Sequence, residues 1–311
     1  MRQKIILVVQ GGTSSEREVS LKSSKACIRA LKKLKHKVIS FDPAKKHLSK
    51  IKQYKKKVDL IFNALHGKDG EDGIAQSYFE YFKIPYTHSG IISSMNAMDK
   101  IISKKIFKKH NLLTPSYIAL NSVNYKKFLN SKDIKSSNFN YPMVVKPSNE
   151  GSSIGVEICK NSVQLKKTII KLIKKHKTLI IENYIAGQEI QVAVLNGKAL
   201  GAIELKPKRK FYDYKAKYSK TAHTKHIMPA AIKKYNYNNV LKLAEKAHQV
   251  LKCKGITRSD FKLVNNKFYL LEINTQPGMT DLSLVPEIAK YAGINFNELI
   301  KKIIDDASIN R

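Results

Sequence analysis

The chain has 311 residues, a formal net charge of +34 and three cysteines. That length supports two or three packed domains and excludes a small binding module. No apolar run approaches 18 residues, and Ile5 to Val9 is too short for a signal peptide, so a cytoplasmic protein with no membrane partner is expected. Cys27, Cys159 and Cys253 are scattered and form no C-x-x-C pair, which signals neither a disulfide framework nor a zinc site. The positive charge is almost all lysine, spread along the chain, with arginine only at positions 2, 17, 29, 209, 258 and 311. Sequence-specific nucleic-acid readers lean on arginine. Solvated lysine-rich faces are therefore the preferred reading, and no specific nucleic-acid partner is expected.

In chain order, Lys4 to Val9 reads as a strand, Q-G-G-T-S-S-E-R-E-V-S as a glycine turn, and Val19 to Leu34 as a helix. Such a turn suits a ligand approaching backbone N–H groups at a helix start. Glu16 in it either caps the helix or holds a substrate ammonium. Val38 to Phe41 and Leu60 to Asn63 read as further buried strands, so a parallel α/β sheet is expected. A-L-H-G-K-D-G-E-D-G follows the last of these and precedes a helix from Ile74 to Phe82. His66 falls at a strand's carboxyl end, where open α/β sheets bind ligands.

A domain boundary is placed near Ser93, and Met98-Asp99-Lys100 opens a helix running to about His110. Pro115 to Leu120 and Met143 to Val145 read as strands around a loop, Asn130 to Asn140. V-V-K-P-S-N-E-G-S-S-I-G-V then offers a glycine-serine loop between strands, with Lys146 as a point charge for phosphates. Leu179 to Asn183 is a buried strand ending in polar groups suited to a nucleotide's amine and hydroxyls. Ile190 to Leu195 and Ala199 to Leu205 form a meander about Asn196-Gly197. Arg209 to Lys225 lacks apolar periodicity and is read as a mobile loop. A helix from Asn238 to Leu251 precedes a hairpin, and helices from Leu284 to Tyr291 and Phe296 to Ile304 follow it.

The hairpin, Thr257 to Val264 and Phe268 to Asn274 about Asn265-Asn266, carries Arg258, Asp260, Glu272 and Asn274. A two-residue turn would pair Val264 with Lys267 and put Asp260 on the face opposite Glu272. Turn chemistry favours it, since asparagine tolerates φ > 0. Carboxylates in apolar strands need a partner or a cation, however. The expectation is therefore a three-residue loop, or a bulge of the same effect, that brings Asp260 opposite Glu272. Two carboxylates and an amide oxygen on one face suit Mg²⁺ shared with a nucleotide's phosphates.

Seven stretches, G-G-T-S-S-E-R-E-V-S, A-L-H-G-K-D-G-E-D-G, M-D-K, V-V-K-P-S-N-E-G-S-S-I-G-V, Y-D-Y-K-A-K-Y, R-S-D-F and L-E-I-N-T-Q-P-G-M-T, together resemble the D-alanine:D-alanine ligase family of the ATP-grasp superfamily. The resemblance spans nearly the whole chain. It implies an N-terminal parallel-sheet, Rossmann-like domain (1–93), then a two-lobed α+β ATP-grasp domain (94–184 and 185–311). The implied activity is joining of two D-alanines for peptidoglycan, with ATP as co-substrate and a D-alanyl phosphate intermediate. Asp260, Glu272 and Asn274 would hold Mg²⁺ or Mn²⁺, two ions in all. Lys100, Lys146 and the Gly151-Ser152-Ser153 loop would grip phosphates, and Glu182, Asn183, Tyr184, Ile185 and Glu189 would contact adenine and ribose. Glu16 would bind the first alanine's ammonium, with His66 facing substrate, and Arg258 and the Gly278 backbone would stabilise the oxyanion. Lys217, Ser283 and Leu284 would receive the second alanine, while Tyr218 closes the loop onto Ser152 and Glu16. A homodimer is expected. Another ATP-grasp ligase would share the Lys146 and Glu272 elements, and Asn183 stands where many relatives carry lysine.

Overall fold

In the computed structural model, which describes residues 2–130, 139–152, 154–206, 224–280 and 283–311, the apolar run Ile5–Val9 is β1, the centre of a three-stranded parallel sheet. β1 pairs with β2 (Lys37–Phe41) on one side and β3 (Leu60–Asn63) on the other. Parallel neighbours need a crossover. Helix α1 (Arg17–Lys33) supplies the first, and a 3₁₀ segment, Leu48–Tyr54, lies on the second. The loops after β1 and β3 therefore open at the same edge, where the strand order reverses. Helix α2 (Ile74–Tyr81) leads away from that edge.

Helices α3 (Ile91–Met98) and α4 (Lys100–Lys109) are separate because Asp99 interrupts them. Its carboxylate accepts the N–H groups of Ile101 and Ile102, capping α4. The helix expected from Met98 is thus α4. The second sheet comprises β4 (Tyr117–Asn121), β5 (Met143–Pro147), β6 (Glu157–Cys159) and β7 (Thr178–Asn183), ordered β4-β7-β5-β6 and antiparallel throughout. A short helix, α5 (Tyr125–Asn130), follows β4, and α6 (Ser162–Ile173) buries Leu165, Ile169 and Leu172 against this sheet.

The third sheet, also antiparallel, contains β8 (Gln188–Leu195), β9 (Lys198–Lys206), β10 (Lys225–Ile227), β11 (Ile256–Val264) and β12 (Lys267–Asn274), ordered β10-β9-β8-β11-β12. Helix α7 (Lys234–Val250) packs Val240, Ala244 and Ala247 onto Val192 and Phe261. Helices α8 (Leu284–Tyr291) and α9 (Phe296–Asp305) return to the first sheet. Their Ile288, Leu299 and Ile303 share one core with Ile6, Val8 and Leu31 of the first unit and Ala193 and Ile256 of the third sheet. One apolar core thus joins the two ends of the chain.

The β11–β12 hairpin resolves the conflict between turn and carboxylates. The turn is the two-residue one, with Val264 opposite Lys267 and both Asn265 (φ 47°) and Asn266 (φ 60°) left-handed. A bulge then follows: Phe261 pairs with Leu270 but Asp260 pairs with Glu272, so Leu271 is the extra residue. Up to the bulge the even positions Phe268 and Leu270 are buried; beyond it Ile273 takes the core side. Glu272 and Asn274 are thereby moved to the face of Arg258 and Asp260, which are their direct partners or neighbours in the ladder.

Candidate active site

The second and third sheets face each other across a cavity. One wall is β5 and the end of β7, with Val144, Lys146, Glu182 and Asn183; the other is the hairpin, with Asp260, Lys262, Leu271 and Glu272. Tyr184, Ile185 and Glu189 close the far end, and Lys100 and Glu150 the near end. The far end is apolar with polar edges, as a base and sugar require, and the near end gathers cations. Lys100 Nζ donates to the Glu150 carbonyl (2.7 Å) and lies 3.4 Å from Glu272 Oε2. Lys146 Nζ lies 2.9 Å from Glu182 Oε2. Burial pushes the Glu182 carboxyl up, but the charges and hydrogen bonds of Lys104 and Lys146 outweigh it and hold it below the usual range. Glu189 is ion-paired with Lys262 at 2.9 Å.

A second cavity adjoins the first and shares Lys100, Glu150 and Glu272 with it. It brings together Glu16, His66, Gly151, Ser152, Arg258, Asn274 and Gly278 from segments far apart in sequence. The capping alternative for Glu16 does not hold. It is the N-cap of α1 by position, yet its side chain makes no cap hydrogen bond and instead accepts from the Ser152 hydroxyl. Two glycines permit this. A Cβ at Gly67 would lie 2.6 Å from Glu16 Oε2, and one at Gly151 would lie 2.7 Å from the same atom. Arg17 braces the turn from behind, donating from both terminal nitrogens to Asp42 (3.0 and 2.7 Å).

His66 is buried between Glu71, 3.1 Å from Nδ1, and the Ser23 hydroxyl, 3.2 Å from Nε2. Burial pulls its pKa down, but Glu71 and Glu16 outweigh that and hold it above the ordinary value. Ser23 Oγ also accepts the Met279 N–H at 3.1 Å, which ties the Gly278 loop to α1. Arg258 forks onto Asp260 through Nε (2.7 Å) and Nη2 (2.9 Å). The Asn274 amide oxygen accepts the Gln276 N–H, and Gln276 in turn donates to the Asn63 carbonyl at 2.7 Å.

Among the described residues no three His, Cys, Asp or Glu side chains form a metal cage. Asp260, Glu272 and Asn274 are hard oxygen donors on one strand face, beside the cationic end of the cavity. Such a set fits a divalent ion whose shell is completed by phosphates and water. Ser283 lies next to Gly278, its Oγ 2.9 Å from where a Cβ there would stand. Leu284 is buried in the core at the start of α8, so it has a backbone N–H rather than a side chain to offer a ligand. Ser153, Lys217, Tyr218 and most of the 209–225 segment lie outside the described residues.

Sequence reading missed Lys104, Glu71, Ser23, Gln276 and Lys262. Lys104 had a signal: it falls on the same stripe of α4 as the buried Lys100, Ser103 and Phe107, at helical spacing. The others lack one, because their partners come from distant segments.

Two family models match the chain: "D-ala D-ala ligase N-terminus" over residues 42–89 and "D-ala D-ala ligase C-terminus" over residues 106–305. The D-alanine–D-alanine ligase of Pelagibacter ubique is 53% identical over 308 residues, spanning 99% of each chain. That of Citrifermentans bemidjiense is 43% identical over 310 residues, 99% of this chain and 98% of the relative. Among solved structures, the D-alanine–D-alanine ligase of Bacillus anthracis complexed with ATP superposes with a TM-score of 0.85 at 31% identity, covering 97% of each chain. The VanG D-Ala:D-Ser ligase of Enterococcus faecalis superposes at 0.86 with 27% identity, covering 98% of this chain and 99% of its own. On this evidence of sequence, fold and assembled site, the chain belongs to the D-alanine–D-alanine ligase family of ATP-grasp enzymes.

Proposed function

We propose that the protein joins two D-alanines into D-alanyl-D-alanine, at the expense of ATP, as a precursor for peptidoglycan. The observation that carries this is the pair of adjoining cavities, one suited to a nucleotide and one to a small zwitterion, meeting at Lys100, Glu150 and Glu272. In this reading ATP lies with its base against Glu182 to Ile185, its ribose near Glu189, and its phosphates toward Lys100, Lys146 and the 151–153 loop. The first D-alanine puts its ammonium on Glu16, beside Ser152, with His66 facing it. Its carboxylate oxygen attacks the γ-phosphorus and ADP leaves, giving D-alanyl phosphate. The amine of the second D-alanine, held by Lys217, Ser283 and Leu284, then attacks the carbonyl carbon. Arg258 and the Gly278 N–H stabilise the oxyanion, and phosphate departs with the transferred oxygen. Tyr218 closes the site, since an acyl phosphate is lost if water enters.

Asp260, Glu272 and Asn274 would hold Mg²⁺ or Mn²⁺, two ions with nucleotide bound, to neutralise charge as two anions approach. The VanG neighbour is a D-Ala:D-Ser ligase of the same fold, so the fold alone does not choose the second substrate. Tyr218 is our reason for assigning D-alanine. We read three functional units, 1–93, 94–184 and 185–311. A homodimer is supported by exposed Ile74, Ile92 and Met95 on the adjoining α2 and α3. No helix among the described residues is long and apolar enough to cross a membrane, which agrees with a cytoplasmic site of action.

The test is ADP release from ATP across a panel of D- and L-amino acids, with product analysis. D-Alanine alone should support turnover and yield D-alanyl-D-alanine. Release that is independent of amino acid, or supported better by an L-amino acid, would contradict the proposal.

A further inference from the structure

Helix α4 buries two lysines one turn apart, and they face different things. Lys100 reaches the wall shared by the two cavities. Lys104 lines neither and is 0% exposed. Its Nζ donates to Thr114 Oγ1 at 2.6 Å and lies 3.0 Å from Glu182 Oε1. The other oxygen of Glu182 meets Lys146 Nζ at 2.9 Å. One carboxylate is therefore shared by two ammonium groups, only one of which faces the nucleotide cavity.

The charge count gives this arrangement a consequence. A lone Glu182–Lys146 pair would be neutral, and the carboxylate would hold the Lys146 ammonium against itself, away from an incoming polyphosphate. With Lys104 sharing the carboxylate, the cluster carries a net charge of about +1 in a medium where charges interact strongly. We propose that Lys104 is a positioning residue for nucleotide phosphates: by occupying one side of Glu182 it leaves Lys146 the positive charge and freedom with which to grip them. This rests on the reading of the larger cavity as a nucleotide site.

The groups that face Lys104 come from several elements. Glu182 is on β7, Lys146 on β5 and Glu272 on β12, while Tyr117 on β4 feels the same Glu182 carboxylate. Burial pushes Lys104 down to about 8, against the pull of Glu182 and in the same sense as Lys146. Phosphate grip should accordingly weaken as alkaline pH removes that proton, whereas contacts to the base and sugar should not.

The experiment is calorimetric binding of ADP with Mg²⁺, and separately of adenosine, to the wild type, Lys104→Met, Glu182→Gln and the double variant. Lys104→Met should weaken ADP about tenfold, the scale of one hydrogen bond to a charged group, and leave adenosine within about twofold. Adding Glu182→Gln to Lys104→Met removes the charge that captures Lys146, so ADP affinity should recover by at least about threefold. A purely structural triad gives the opposite: the double variant is weaker still, or adenosine falls in parallel. Either result overturns the proposal. If Lys104→Met does not fold, the wild type alone decides. Its ADP-to-adenosine affinity ratio should fall about fivefold between roughly pH 7 and 9.5, and a flat ratio overturns the proposal. A wild type that binds neither compound overturns the nucleotide reading of the cavity as well.

Discussion

Glu16 shows how closely single residues are held in this site. Its carboxylate is received by the Ser152 hydroxyl and flanked by two backbone segments that must be glycine at positions 67 and 151. The motif G-G-T-S-S-E-R made Glu16 conspicuous in the sequence, and its neighbours could not be read there because they lie 51 to 136 positions away. Glu272 is the residue on which the proposed chemistry leans most. It stands at the junction of the two cavities and 3.4 Å from Lys100. Glu272→Gln keeps the shape and removes the charge, and should lower ligation by about a hundredfold or more through lost stabilisation of the transferring phosphoryl group. Mn²⁺ binding in the presence of ADP, followed by electron paramagnetic resonance, should weaken in parallel. Near-normal turnover with unchanged Mn²⁺ binding would remove Glu272 from the metal site.

At the scale of elements the hairpin decides where the carboxylates point. Its sequence presents a parity change: Phe268 and Leu270 are apolar on even positions, then Ile273 on an odd one, with Glu272 and Asn274 between and beyond. That change marks the bulge at Leu271. The sequence reading demanded the Asp260–Glu272 pairing on electrostatic grounds and left open whether loop or bulge supplied it; the bulge did, because asparagine fits the tight turn. The turn supports a test. Asn265 and Asn266 both sit at positive φ, where a Cβ-bearing residue without a local polar side chain is disfavoured by about 1 kcal/mol. Asn265→Ala should lower unfolding free energy by about that amount, and Asn265→Gly should not. Equal stabilities by urea titration would contradict the register assigned to the hairpin. The 3₁₀ segment Leu48–Tyr54 and helices α3, α5 and α6 were not foreseen. Lysine and serine interrupt their apolar spacing, and packing against a sheet supplies what propensity lacks.

For the whole molecule, the net charge of +34 means self-repulsion that salt should relieve. The thermal midpoint should therefore rise by roughly a few degrees between low and about 0.3 M salt. The buried cluster adds a signed pH dependence. Glu182 is held below its ordinary 4.5, so its contribution is complete above that pH and is lost as acidification passes through the folded value. Lys104, at about 8 against an ordinary 10.5, binds fewer protons folded than unfolded between those values, so it makes stability rise with pH there. A map of midpoint against pH and salt checks both, and a midpoint indifferent to salt would contradict the charge argument. The central claim, ligation through an acyl phosphate, is tested most directly by oxygen tracing. D-Alanine labelled with ¹⁸O in its carboxylate is turned over with unlabelled ATP, and the released phosphate is weighed by mass spectrometry. One ¹⁸O per dipeptide should appear in phosphate, carried there when the carboxylate oxygen bonds to the γ-phosphorus; phosphate free of label, with dipeptide still formed, would contradict the account.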